Sequence, residues 1–158
     1  MRFILSLIVL AMGIQVWAQV PVQEDRNEAT YNKQFSIGLN GYDPVSYFPE
    51  GGSVPIVGDP QISFTYGTIP YFFSSEQNKA LFMENPLKYE PTYGGWCAYA
   101  MSEDSRIQIN PLIFTLQNNR SHFFISKSAK RTFDEEMAVR EPAADVNWKN
   151  FSGEQPRL

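Results

Sequence analysis

Between positions 61 and 74 the chain holds two short runs rich in β-branched and aromatic residues, Gln61 to Tyr66 and Tyr71 to Ser74, joined by Gly67-Thr68-Ile69-Pro70. Such runs, separated by a short link containing Gly, predict an antiparallel hairpin. The period then changes. Ser74 followed by Gln77 is a capping-box pattern, and Glu76 to Asn85 predicts a helix that turns Ala80, Leu81 and Met83 to the core and stops at Asn85-Pro86. A second unit of the same kind follows. Arg106 to Asn110 and Ile113 to Gln117 read as strands, Asn118-Asn119 as a two-residue turn tolerant of positive φ, and Ser121 to Ser126 as the returning strand. From a cap at Ser126 or Ser128, residues 129–140 predict a helix with a narrow apolar stripe of Ala129, Phe133 and Met137. Val45 to Phe48 reads as one more short strand-like piece, bounded by Gly41-Tyr42-Asp43-Pro44 and by Pro49 with Gly51-Gly52. In residues 95–101 apolar side chains occupy both phases, so helix and strand stay open there. Hairpin, helix, hairpin, helix predicts an α+β fold: a small antiparallel sheet from two β-hairpins with two or three packed helices.

The flanks lack this regularity. Arg2, the apolar run Phe3 to Ile14, and Val16-Trp17-Ala18 before Gln19 have the order of a signal peptide over residues 1–18, with cleavage after Ala18. A bilayer core needs about 20 apolar residues, so the run is too short for an anchor. Residues 19–36 are polar and aperiodic and read as an extended lead-in with at most one helical turn, and residues 152–158 as a C-terminal tail. The domain then occupies residues 37–151.

Composition narrows the chemistry. Of 158 residues 43% are hydrophobic and 15% aromatic, the range of a packed globular domain with a ring-rich core. Arg2 is the one charge in the leader, which leaves 12 basic against 17 acidic side chains and a net charge of −5 on the mature chain. An acidic chain works against binding of a polyanion, so no nucleic acid is expected as partner, and no membrane once the leader is gone. The expected location is periplasmic or secreted. Disulfides are allowed there, yet the chain has one thiol, Cys97, and one imidazole, His122, so an internal disulfide and a closed Cys/His zinc site are both excluded.

The series Gly41-Tyr42-Asp43-Pro44-Val45-Ser46-Tyr47-Phe48, Tyr71-Phe72-Phe73-Ser74-Ser75, Phe82, Asn85-Pro86-Leu87-Lys88-Tyr89 and Tyr93-Gly94-Gly95-Trp96-Cys97-Ala98-Tyr99-Ala100 closely resembles the YHS domain family, and more narrowly its exported single-domain bacterial members. The resemblance spans roughly residues 36–150, more weakly through the second hairpin and Ala144 to Trp148. It implies a role in metal handling, with thiolates after the Asp-Pro-Val and around the start of the central helix. Those positions are Ser46, Ser74 and Asn78 here, and a hydroxyl or amide does not replace thiolate for Cu(I) or Zn(II).

Cys97 lies outside that pattern and admits three readings. It is a small buried hydrophobe in a tight aromatic segment, where Gly94-Gly95 lets backbones approach; or a soft ligand for copper with Met101, four residues on, joined by Met83 or His122; or a reactive or dimer-forming thiol. No Lys or Arg stands between Lys88 and Arg106 to activate it, so the first reading leads. His122, beside a turn, reads as half-buried or exposed, and no spacing supports a Cys97–His122–Asp43 triad. Rings with polar tips suit pockets, so a ligand site is expected where residues 42–48 approach 93–101: Tyr42, Asp43, Tyr47, Tyr93, Trp96, Cys97 and Tyr99. The expected function is that of an exported binding or accessory module for a small molecule, a metal ion such as copper, or an exported protein. The rival is a thiol-dependent enzyme or redox protein using Cys97.

Overall fold

Both expected hairpins form. The computed structural model describes residues 20–157; the signal peptide expected over residues 1–18 lies outside them. Strand β1 (Asp59–Tyr66) pairs antiparallel with β2 (Ile69–Phe73), and β3 (Asn110–Gln117) with β4 (Arg120–Phe124). The hairpins stay separate, so the expected single sheet is two two-stranded sheets. A lone hairpin is marginal in water, and each of these survives by packing its inner strand under helices. β2 alternates, burying Ile69, Tyr71 and Phe73, whereas all five residues of β4 are buried.

Five α-helices complete the α+β fold, more than the two or three expected: α1 (Glu76–Glu84), α2 (Pro86–Tyr89), α3 (Ala98–Ser102), α4 (Lys127–Glu135) and α5 (Met137–Ser152). α1 starts one residue later than the capping box suggested, with Ser75 accepting from the Asn78 amide at 3.1 Å. Its core face is Asn78 and Phe82, while Ala80 is exposed, because Phe82 fits among Tyr66, Tyr71 and Phe73 with ring centroids 6.3, 4.9 and 5.2 Å away. The helix expected over 129–140 divides at Glu136, and α5 continues to Ser152 with Ala144, Trp148 and Ser152 buried at four-residue spacing. Pro142, near the start of α5, removes one amide donor and does not end the helix.

Two other expectations change. Residues 45–48 are a turn, since the Asp43 carboxylate accepts from the Val45 amide at 2.9 Å and the Ser46 amide returns to the Asp43 carbonyl at 3.2 Å. Residues 106–109 precede β3 without joining it. The open question at 95–101 resolves as a turn leading into α3. Gly94 lies at φ +56°, and a Cβ there would come within 2.7 Å of Trp148 and 3.1 Å of Tyr31. The Gly94 backbone is therefore the surface against which α5 and the lead-in close.

The flanks are not loose. Residues 28–30 and 34–36 form 3₁₀ turns, Tyr31 and Asn32 are buried, and Asn32 binds the carbonyls of Gly94 and Gly95 at 2.9 and 2.7 Å. In the tail, Glu154 and Arg157 are buried. No helix among the described residues is long and apolar enough to cross a membrane.

Candidate functional site

The seven residues expected to form a ligand site are distributed through the core. Asp43 is fully buried and saturated: its second carboxylate oxygen accepts from the Ser74 amide (2.8 Å), the Ser74 hydroxyl (2.6 Å) and the Asn78 carboxamide (2.7 Å). Ser46 donates to the Asp43 carbonyl at 2.8 Å. The three positions at which the YHS resemblance implies thiolates therefore all bond to Asp43, with Ser74 and Asn78 at its carboxylate and Ser46 at its main-chain carbonyl, a donor set that does not fit a soft metal ion.

Tyr47 and Cys97 converge on β4. Tyr47 meets the Phe114 and Phe123 rings edge-on, each 4.9 Å away, and bonds the Pro111 carbonyl at 3.1 Å. Cys97 bridges Phe123 by backbone pairing and its amide bonds the Ile107 carbonyl at 3.0 Å. Its side chain is fully buried, as is that of Met101, one turn on, whose amide returns to the Cys97 carbonyl at 2.9 Å. Tyr42 pairs with Val57, Trp96 donates to the Thr30 carbonyl at 2.7 Å, and Arg140 lies 4.5 Å over the Tyr99 ring.

His122 is 0% exposed, not at the surface as a turn-flanking residue suggested. The strand reads through into the core, and its ring packs between Tyr93 and Phe133 at 5.6 and 5.3 Å. Nε2 lies 2.9 Å from the Glu141 carboxylate, which can only accept, so Nε2 carries the hydrogen; Nδ1 has no partner. That hydrogen bond, ahead of the cost of burial and with the added attraction of Arg120, holds the Glu141 carboxyl below its ordinary range. Arg120 also spans Glu141 (2.9 Å) and Asp145 (2.6 Å), and Asp145 takes the Tyr93 hydroxyl at 2.8 Å. Burial and then the Asp145 charge push the Tyr93 hydroxyl well up, so it remains a donor.

A larger network has no sequence signal. Glu90, 2% exposed, receives both guanidinium nitrogens of Arg26 (2.6 and 2.7 Å), Nη2 of Arg157 (2.9 Å) and the Tyr71 hydroxyl (2.5 Å). Tyr31 bonds Arg157 and, at 2.8 Å, Glu154. Burial alone would raise the Glu90 carboxyl, but Arg157 and Arg26 outweigh it and hold it below the ordinary value. Lead-in and tail meet at this carboxylate.

None of the expected ligand or metal residues lines the two largest surface depressions near these flanks. One, of about 650 Å³, runs between residues 20–24 and Met83 to Leu87; the other, of about 430 Å³, lies beside it toward Asn119 and residues 155–157. Among the described residues no three His, Cys, Asp or Glu side chains are grouped to hold a metal ion. No protein-family model, no curated protein and no solved structure matches the chain.

Proposed function

We propose that the protein is an exported binding or accessory module of the YHS type, which engages its ligand at the surface and carries out no covalent chemistry through its thiol. The observation that supports this reading is the sealing of the reactive groups. Cys97, His122 and Asp43 are each 0% exposed, with Nε2 of His122 held by Glu141 and the Asp43 carboxylate by Ser74 and Asn78. A nucleophile must meet its substrate within about 3–3.5 Å, and burial of this kind prevents that without local unfolding. The test is alkylation of Cys97 with iodoacetamide, native against denatured, read by intact mass. The module reading expects native labelling to be slower by a hundredfold or more; equal rates in the two states establish the thiol-enzyme reading instead.

A copper-handling version rests on Cys97 and Met101, soft donors one helical turn apart at the start of α3. His122 could join them only through Nδ1, the ring nitrogen without a hydrogen-bond partner among the described residues, since Nε2 is held by Glu141. The copper version expects Cu(I) binding to be lost in both Cys97→Ser and Met101→Leu; Cu(I) binding that survives in both variants rejects it.

A further inference from the structure

The two depressions share Gln23, Asn85 and Leu87, so they form one continuous groove with unlike halves. The 650 Å³ half is aliphatic, with Val22 and Leu87 45% and 38% exposed along it and Met83 in its wall. The 430 Å³ half is lined by four carboxamide residues from four distant segments: Gln23 from the lead-in, Asn85 between α1 and α2, Asn119 from the β3–β4 turn, and Gln155 from the tail. Each offers two donors and an acceptor. Little of this capacity is used internally: Gln23 reaches Asp25, Asn85 accepts a long 3.4 Å bond from the Lys88 amide, and the Asn119 and Gln155 carboxamides make no hydrogen bond among the described residues.

Charge separates the candidate occupants. Both cations of the polar half are already neutralised, Lys88 by Glu50 at 2.5 Å and Arg157 by Glu90 at 2.9 Å, while Glu24 and Glu84 border the apolar half. An anionic head group therefore meets no cation that lacks a carboxylate beside it. A sugar would require an open aromatic platform, and the one ring on the groove, Tyr66, is 1% exposed. What remains is a neutral chain that alternates donor and acceptor along its length and carries apolar side chains. We infer that the groove binds an extended segment of another exported polypeptide, its backbone amides meeting the four carboxamides and an aliphatic side chain settling between Val22, Met83 and Leu87. This rests on the module reading and names its partner class.

The test is an amide-resolved NMR titration of the mature chain with acetyl-Gly-Leu-Ser-Leu-Gly-amide, the same peptide N-methylated along its backbone, maltotriose, and sodium decanoate. The inference expects saturable shifts of the Asn119 and Gln155 side-chain amides with the first peptide only. The double variant Asn119→Gly/Gln155→Ala is expected to weaken binding about tenfold, the scale of one or two hydrogen bonds. Both positions are exposed, and Gly suits the positive φ of residue 119, so the variant keeps its fold. Equal binding of the N-methylated peptide, binding of maltotriose or decanoate in its place, or absence of shifts at millimolar peptide overturns the inference. The alkylation experiment on Cys97 decides the module reading separately, since it does not involve the groove.

Discussion

Cys97 and its neighbours set what a single substitution does. The thiol fills a site with no exposure and no hydrogen-bond partner for a stronger dipole, so Cys97→Ser buries an imperfectly satisfied hydroxyl. The expected loss is about 1–3 kcal/mol, read from urea unfolding midpoints, with Cys97→Ala costing less where the aromatic surroundings close in. The knot around Asp43 makes a second residue-scale prediction. Its donors are hard and saturated, so reduced protein is expected to show no one-to-one Zn(II) binding tighter than about micromolar, roughly −8 kcal/mol, by calorimetry. Asp43→Asn removes the charge that four donors converge on and places an NH₂ among them; it is expected to destabilise by about 1–3 kcal/mol without altering metal uptake.

At the scale of elements, local chemistry explains which parts of the fold were legible. Ser126 and Ser75 accept the third amide of their helices at 3.1 Å each, and Ser75→Ala or Ser126→Ala is expected to cost about 1 kcal/mol in the same unfolding assay. The hairpins could be read because alternation and turn residues act over a few positions: Asn118 and Asn119 take φ of 52° and 62°, the backbone that Asn tolerates. The strand expected at 45–48 failed because Asp43 followed by Pro44 builds a turn through its side chain, a signal that the apolar letters after it obscured. α5 was missed beyond residue 140 because Pro142 resembles a stop and because Ala144 and Trp148 are too sparse to mark a face. The aromatic residues of the expected site were recognised as important, but rings that form a core and rings that line a pocket are the same letters. The groove and the Glu90 network draw on five and four separated segments, and no motif records such a meeting.

For the whole molecule the decisive feature is the carboxylate shared by lead-in and tail. Glu90→Leu takes from Arg26 and Arg157, with side-chain exposures of 2% and 4%, the carboxylate they share, leaving them Glu28 and Glu154, and is expected to cost about 3–5 kcal/mol. Replacing the buried charges together, as Arg26→Met/Glu90→Leu/Glu154→Gln/Arg157→Met, is expected to recover part of that loss, which distinguishes an uncompensated charge from lost packing. Acid provides an independent measure. Glu90 and Glu141 both titrate below the ordinary 4.5 in the folded chain, so they favour folding above that value, and the contribution disappears as pH falls through the folded values. Urea midpoints are expected to be flat from pH 7 to about pH 5 and to drop below about pH 4.5, with a shallower acid limb in Glu90→Gln.

The shared carboxylate also governs timing. Glu90 takes one cation from 64 positions before it and another from 67 after it, so its set of partners is complete only once residue 157 has been made and has reached the interior. Contacts of such separation form late. Until then the tail lacks the buried charge pair that closes it against the lead-in, and that end of the fold stays open and pliable. A partner that holds residues 152–157 away from Glu90 would keep the chain in that pliable state, and its release would let the fold complete.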